Sequence, residues 1–215
     1  MIRYPTLLEG EEGDAGGLEG FVGGDRTTIA LPAIQTEVMK RLNLLGKSLI
    51  FICMSGGAMS FNWEVENLPV IIQAWYGGQS TGTALADILF GRYNPSGKLP
   101  VTFYHSDADL PPIKDYSMSN RTYRYFGGDV LYPFGYGLHY GETNYDGLSV
   151  DKAESDVNEP VEVFVNVTND SRYTVNEIVQ LYIRHVDAAE YEPGYQLKGI
   201  EVVKLEPHET KKVKL

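Results

Sequence analysis

Cysteine is almost absent from this chain, and the single Cys53 excludes an internal disulfide or a cysteine-rich metal site. It sits in the apolar run Leu49-Ile-Phe-Ile-Cys-Met54, which predicts a buried small hydrophobe rather than a reactive thiol. Positive charge is also scarce. Lys and Arg number 18 against 29 Asp and Glu, giving a formal net charge of −11 with no basic run anywhere. Nucleic-acid binding draws its affinity from clustered cations that neutralise phosphates, so no nucleic-acid partner is expected and a neutral glycan fits better. No apolar stretch approaches the ~20 residues of a membrane span, so no membrane partner is expected either. His105, His139, His185 and His208 lack the spacing of metal ligands, so neither a metal nor a cofactor is predicted.

The N-terminus lacks the basic segment and apolar core of a signal peptide. Met1-Ile-Arg-Tyr-Pro-Thr-Leu-Leu8 reads as the middle of a domain entered abruptly, which leaves room for an upstream leader and a secreted or periplasmic parent.

What is present is an ordinary globular composition, 43% hydrophobic and 22% charged, over 215 residues. That length accommodates two modest domains, each with its own core. Ile29, Leu31, Ile34, Val38, Leu42 and Leu45 recur at steps near three and four between an early Pro32 and a closing Gly46, which predicts an amphipathic helix over residues 29–46. Residues 48–54 and 70–76 are short apolar runs of the kind found in strands covered on both faces. Residues 81–90 predict a second helix, ended by Gly91. This order suits an α/β layer with loops gathered at one end of its sheet.

From about Glu142 the periodicity changes. Val161–Val167 alternates, as do parts of Glu177–Arg184 and Gly199–Leu205, with turn residues between them. Short alternating strands at close spacing predict an antiparallel β-sandwich. The chain stops in a strand-like segment, Lys212-Val-Lys-Leu215, so the last strands of that sandwich are expected to be missing.

Three stretches carry the strongest signal: Gly91-Arg-Tyr-Asn-Pro-Ser-Gly-Lys-Leu-Pro-Val-Thr-Phe-Tyr104, Tyr123-Arg-Tyr-Phe126 and Leu131-Tyr-Pro-Phe-Gly-Tyr-Gly-Leu-His-Tyr140. Together they resemble the C-terminal half of glycoside hydrolase family 3, the β-glucosidases, β-xylosidases and their relatives. The resemblance implies the C-terminal part of an α/β sandwich domain (residues 1–141, N-terminally truncated), followed by a fibronectin type III-like β-sandwich (residues 142–215, C-terminally truncated). It also implies a (β/α)8 barrel elsewhere in the same polypeptide, since such a barrel alone needs roughly 250 residues.

By composition alone, Leu8-Glu-Gly-Glu-Glu-Gly-Asp14 is a solvated acidic loop, although crowded carboxylates can raise the pKa of one of their number and fit it to donate a proton. The resemblance reverses that weighting. Family members place their general acid/base glutamate on such a loop, followed by an Asp-Arg pair and a helix. Glu11 is the best match, with Glu9 and Glu12 as alternates. The nucleophile in the family is an aspartate of the barrel, and no segment of this chain corresponds to it. Asp25-Arg26 before the helix is expected to be structural, and the aromatics of Asn120–Phe126 to pack as a strand.

Trp75 and Tyr76 lie where a strand gives way to a loop, the end of an α/β sheet at which ligands sit, and are candidate substrate-binding residues. Cys53-Met-Ser-Gly-Gly57 resembles a nucleophile elbow but lacks its first glycine. Asn120, Asn166 and Asn169 match the N-glycosylation acceptor pattern. The reading that follows is a retaining exo-β-glycosidase of which this is the C-terminal part, acting on an oligosaccharide substrate. A non-catalytic carbohydrate-binding or interaction module on the same scaffold is the alternative.

Overall fold

The computed structural model describes residues 20–22, 25–156, 158–187, 189 and 192–215. Two compact units emerge, and they do not follow one another along the chain. One comprises residues up to Gln79 together with Val101–Pro133; the other comprises Ser80–Pro100 with Phe134–Leu215. Ser80–Pro100 and Phe134–Tyr140 thus belong to the same compact unit as the sandwich strands.

The first unit begins with a two-strand ribbon, β1 (Phe21–Val22) against β2 (Asp25–Arg26). Helix α1 (Ala33–Asn43) follows Pro32, whose fixed φ suits a helix start, and ends with Lys40 and Arg41 beside the negative end of the helix dipole. Strands β3 (Ile50–Cys53) and β4 (Val70–Gln73) pair in parallel, Ile50 opposite Val70 and Cys53 opposite Gln73. A parallel pair needs a crossover, and α2 (Asn62–Asn67) supplies it. The buried rings of Phe51, Phe61 and Phe103 meet edge to face, each adjacent pair 5.8 Å apart, to form the heart of the unit.

Helix α1 is amphipathic as its spacing predicts, but its Ile34, Val38 and Leu42 stripe is exposed. Its other face is the packed one. Met39 is buried, the Thr36 hydroxyl donates to the buried Glu64 at 2.6 Å, and the Lys40 ammonium lies over the Trp63 ring.

The segment Asn120–Phe126 corrects the strand expectation: Thr122–Tyr125 form a short helix, α4. Arg121 is the cause. Its guanidinium donates to the carbonyls of Pro112, Asp115 and Ser117, gathering the preceding loop around itself. The turn into α4 then passes through positive φ at Asn120 and Thr122, which an extended strand could not accommodate.

In the second unit, α3 (Thr81–Leu89) is followed by the sandwich strands. β5 (Thr143–Val150), β6 (Val163–Asn169) and β9 (Thr210–Lys214) form one sheet in the order β5-β6-β9. β7 (Val175–Ile183) and β8 (Gln196–Leu205) form the other, and all sandwich pairings are antiparallel. Val165, Val167, Val179, Leu205 and Val213 pack into the core between them, as the alternation in β6 and β7 requires.

The two glycine-rich motifs close on each other within this unit. The amide of Leu99 donates to the Tyr136 carbonyl and that of Gly135 to the Leu99 carbonyl, both at 2.8 Å. At Gly137 a side chain is impossible, because a Cβ would sit 2.0 Å from the Gly97 carbonyl oxygen. Asn94 rivets the arrangement: its amide nitrogen donates to the carbonyls of Tyr140 and Thr174, and its oxygen accepts from the Tyr140 amide at 2.7 Å.

Candidate functional site

The candidate acid/base residues Glu9, Glu11 and Glu12 lie outside the described residues. Further along, residues 26–29 are firmly held. Arg26 donates to the Thr28 carbonyl at 2.8 Å and reaches the buried Met59 sulfur. The Asp107 carboxylate accepts from the Thr28 hydroxyl at 2.6 Å and the Ile29 amide at 2.8 Å. Asp107 is itself fixed in a short 3-10 turn capped reciprocally by Ser106 and Asp109. These contacts tie Arg26 into the packing of its own unit; the side chain of Asp25 lies outside the described set.

Trp75 and Tyr76 stand just beyond the C-terminal end of β4. Trp75 has φ of +52°, a left-handed conformation costly for a bulky residue. Its ring is half-buried and packs edge to face on Phe103 at 6.1 Å. This sharp change of direction separates the two rings, and Tyr76 is 59% exposed. Tyr76 rests against Gly56 of the adjacent β3 loop, where a Cβ would lie 2.9 Å from the ring. The structure thus brings a half-buried tryptophan and an exposed tyrosine to the strand-end loops where α/β folds take ligands.

Ser55, in the same loops, is buried, its hydroxyl donating to the Gly57 carbonyl at 2.8 Å and accepting from the Gln73 amide at 3.2 Å. A hydroxyl so engaged, with no histidine among its hydrogen-bond partners, is not an activated nucleophile. Burial pushes the Cys53 thiol up from its ordinary pKa, which makes it inert. Asp87 is paired with Arg92 at 2.7 Å on the surface of the other unit. Among the described residues no cluster of three or more His, Cys, Asp or Glu could hold a metal ion.

Sequence reasoning missed Glu177. It is only 4% exposed and shares the inward parity of Val175 and Val179 on β7, so the alternation itself pointed to its burial. Its carboxylate lies 3.3 Å from the Lys98 ammonium and 3.0 Å from His139 Nε2. Lys98 also donates to the Gly137 carbonyl at 3.0 Å. The network joins both glycine-rich motifs to the first strand of the second sheet.

The acceptor-pattern asparagines also separate. Asn169 is fully buried, its amide donating to the carbonyls of Tyr173, Leu205 and Glu206, so it cannot carry a glycan. Asn120 is exposed.

A parallel strand pair with aromatic strand-end loops, carried in one chain with an antiparallel sandwich, is an architecture that many functions share, and comparison with known proteins narrows it. The glycosyl hydrolase family 3 C-terminal domain matches residues 4–140, and the fibronectin type III-like domain matches residues 177–215. The chain belongs to glycosyl hydrolase family 3.

A xylan 1,4-beta-xylosidase of Xylanibacter ruminicola is 47% identical over 194 residues, covering 90% of this chain and 22% of that protein. A periplasmic beta-glucosidase of Salmonella typhimurium is 34% identical, covering 87% of this chain and 26% of its own length. The solved structure of a GH3 beta-glucosidase from Bifidobacterium adolescentis superposes with a TM-score of 0.80 at 32% identity, over 90% of this chain and 30% of the other. This chain therefore spans about a quarter of the length of the relatives it matches.

Proposed function

We propose that the chain is the acid/base-bearing C-terminal part of a retaining exo-β-glycosidase, a β-xylosidase or β-glucosidase acting on plant-type oligosaccharides. The observation that supports this most is the family match over residues 4–140, which includes the acidic loop as well as the strand-end loops. The 47% identity to a xylosidase favours xylose among the candidate sugars.

In this reading, an aspartate of a barrel domain outside the chain attacks the anomeric carbon. The Glu11 carboxyl gives its proton to the departing glycosidic oxygen as the C–O bond breaks, leaving a covalent glycosyl ester. The Glu11 carboxylate then takes a proton from water, whose oxygen attacks the same carbon and releases the sugar with its configuration retained. Tyr76 offers an exposed ring for the face of a sugar, and Trp75 sets the chain direction that presents it. Glu9 and Glu12 are the alternates for the acid/base.

The test is kinetic, in the full-length parent. Glu11→Ala slows hydrolysis of substrates with basic leaving groups far more than of activated aryl glycosides, because acid assistance matters most for a poor leaving group. Azide restores turnover of the activated substrate and yields a β-glycosyl azide. Equal losses on both substrates without azide rescue remove the role from Glu11, and the same assay on Glu9→Ala and Glu12→Ala then finds its owner.

A further inference from the structure

A second concave surface lies wholly within the unit built from Ser80–Pro100 and Phe134–Leu215. It is an open groove of about 940 Å³, in the upper part of the size range of small-molecule sites. Its lining includes three exposed tyrosines: Tyr93 at 51%, Tyr140 at 39% and Tyr173 at 43%. Arg92, Arg172, Asn94, Thr174 and Asn176 supply the polar groups, and Leu89 is the only aliphatic side chain among the lining residues.

We infer that this groove is a carbohydrate-binding site that holds a short neutral oligosaccharide. The ligand class follows by elimination and by fit. An anion is disfavoured: the Arg92 charge is taken up by Asp87 at 2.7 Å, and Arg172 lies over the Tyr173 ring, 5.0 Å from its centroid, in a chain of net charge −11. An apolar ligand is disfavoured by the polar lining. A sugar meets both halves of the surface, its C–H faces against the electron-rich tyrosine rings and its hydroxyls against the arginine groups and Asn176.

The groove is also preorganised. Asn94 is locked by its bonds to Tyr140 and Thr174, the Tyr140 hydroxyl donates to the Ile88 carbonyl at 2.8 Å, and Arg172 donates to the Tyr173 hydroxyl at 2.8 Å. His139, another lining residue, is held through Nε2 by Glu177. Rings held this way lose little freedom on binding. The choice of sugar as ligand rests on the glycosidase reading; the location of the groove does not.

The test is titration of the 215-residue chain with xylotriose and with cellotriose, followed residue by residue in nitrogen–proton correlation spectra. Binding is expected with a dissociation constant on the order of 1 mM and with shifts centred on Tyr93, Asn94, Tyr140 and Tyr173. Tyr93→Ala and Tyr173→Ala each weaken it about fivefold with the spectrum otherwise intact, while the exposed Tyr116→Ala, outside the groove, leaves it unchanged. No shift with either sugar, or a dissociation constant unchanged in the Tyr93→Ala and Tyr173→Ala variants, overturns the inference. If the full-length parent hydrolyses glycosides while the isolated chain binds no sugar, the groove assignment fails alone. If the chain binds sugar and the parent has no glycosidase activity, the catalytic reading fails instead.

Discussion

Replacing Glu177 with alanine removes the one carboxylate buried between Lys98 and His139. The Lys98 side chain is 18% exposed and that of His139 only 9%, so neither can turn to water without opening the unit. In the variant, Lys98 keeps the Gly137 carbonyl as acceptor but no countercharge, and His139, whose Nδ1 already lacks a partner, keeps at Nε2 only the Thr143 hydroxyl at 3.4 Å. Breaking a buried ion pair from one side costs about 3–5 kcal/mol because the partner is left charged and desolvated. For a cooperative unit of roughly 100 residues, the lower figure corresponds to a fall in Tm of about 12–24 °C. Differential scanning calorimetry reads this directly, and the loss is confined to the transition of the unit holding Ser80–Pro100 and Phe134–Leu215. Adding Lys98→Met to Glu177→Ala should recover part of the loss, since it removes the stranded charge, and the double-mutant cycle measures how much. A loss below about 1 kcal/mol for Glu177→Ala would mean that the carboxylate is effectively solvated, and the reasoning would fail.

Three further outcomes are expected. Burial, and then the neighbouring Glu177 charge, hold the Tyr145 hydroxyl well above the ordinary tyrosine pKa. The folded state keeps this proton when the unfolded state loses it, so the contribution is present below about pH 10 and is lost as pH rises above it. Tyr145→Phe should flatten that alkaline fall in a series of Tm values against pH, and an unchanged slope contradicts the assignment. Cys53 should resist an aromatic disulfide reagent at pH 8 until denaturant is added, whereas rapid labelling of the native chain would show that β3 is open. Asn169→Ala should cost about 3 kcal/mol in urea unfolding by stranding three carbonyls, and Asn169→Asp should be no milder because it turns a carboxylate oxygen toward them.

Much of this fold is legible in the sequence where a single physical signal dominates. The apolar runs around Phe51 and Ile71 are indeed strands, but they are not covered on both faces: β3 buries only Phe51 and Cys53, and β4 is half-buried or exposed throughout, whereas Val163–Val167 alternated because one face meets a core. Strand β5 was not legible: Asp146-Gly147 resembles a hairpin turn, but here it is a bulge, with the register slipping between Asp146 and Ser149. Asn120–Phe126 misled in the opposite direction, because alternating aromatics carry no trace of Arg121 winding the preceding loop around its guanidinium. The long-range packing of α3 and the Asn94 segment with the sandwich was equally hidden, since a rivet such as Asn94 to Thr174 has no local pattern.

At the candidate site, Trp75 and Tyr76 were nominated from their place at a strand end, and the positive φ that separates their environments was not visible there. The nomination of Glu11 rests on family resemblance throughout. Glu177 shows the limit from the other side, because a buried carboxylate at an inward strand position is visible only when its parity is weighed against its charge.

The central claim is that this chain supplies the acid/base of a retaining glycosidase but not its nucleophile, since the two carboxylates must stand about 5–5.5 Å apart across the scissile bond. The most direct measurement is release of nitrophenol from aryl β-xyloside and aryl β-glucoside by the purified 215-residue chain, alongside its Glu11→Gln variant. The account predicts no turnover above background for either protein. Turnover by the chain that Glu11→Gln abolishes would place a nucleophile within these residues and contradict it.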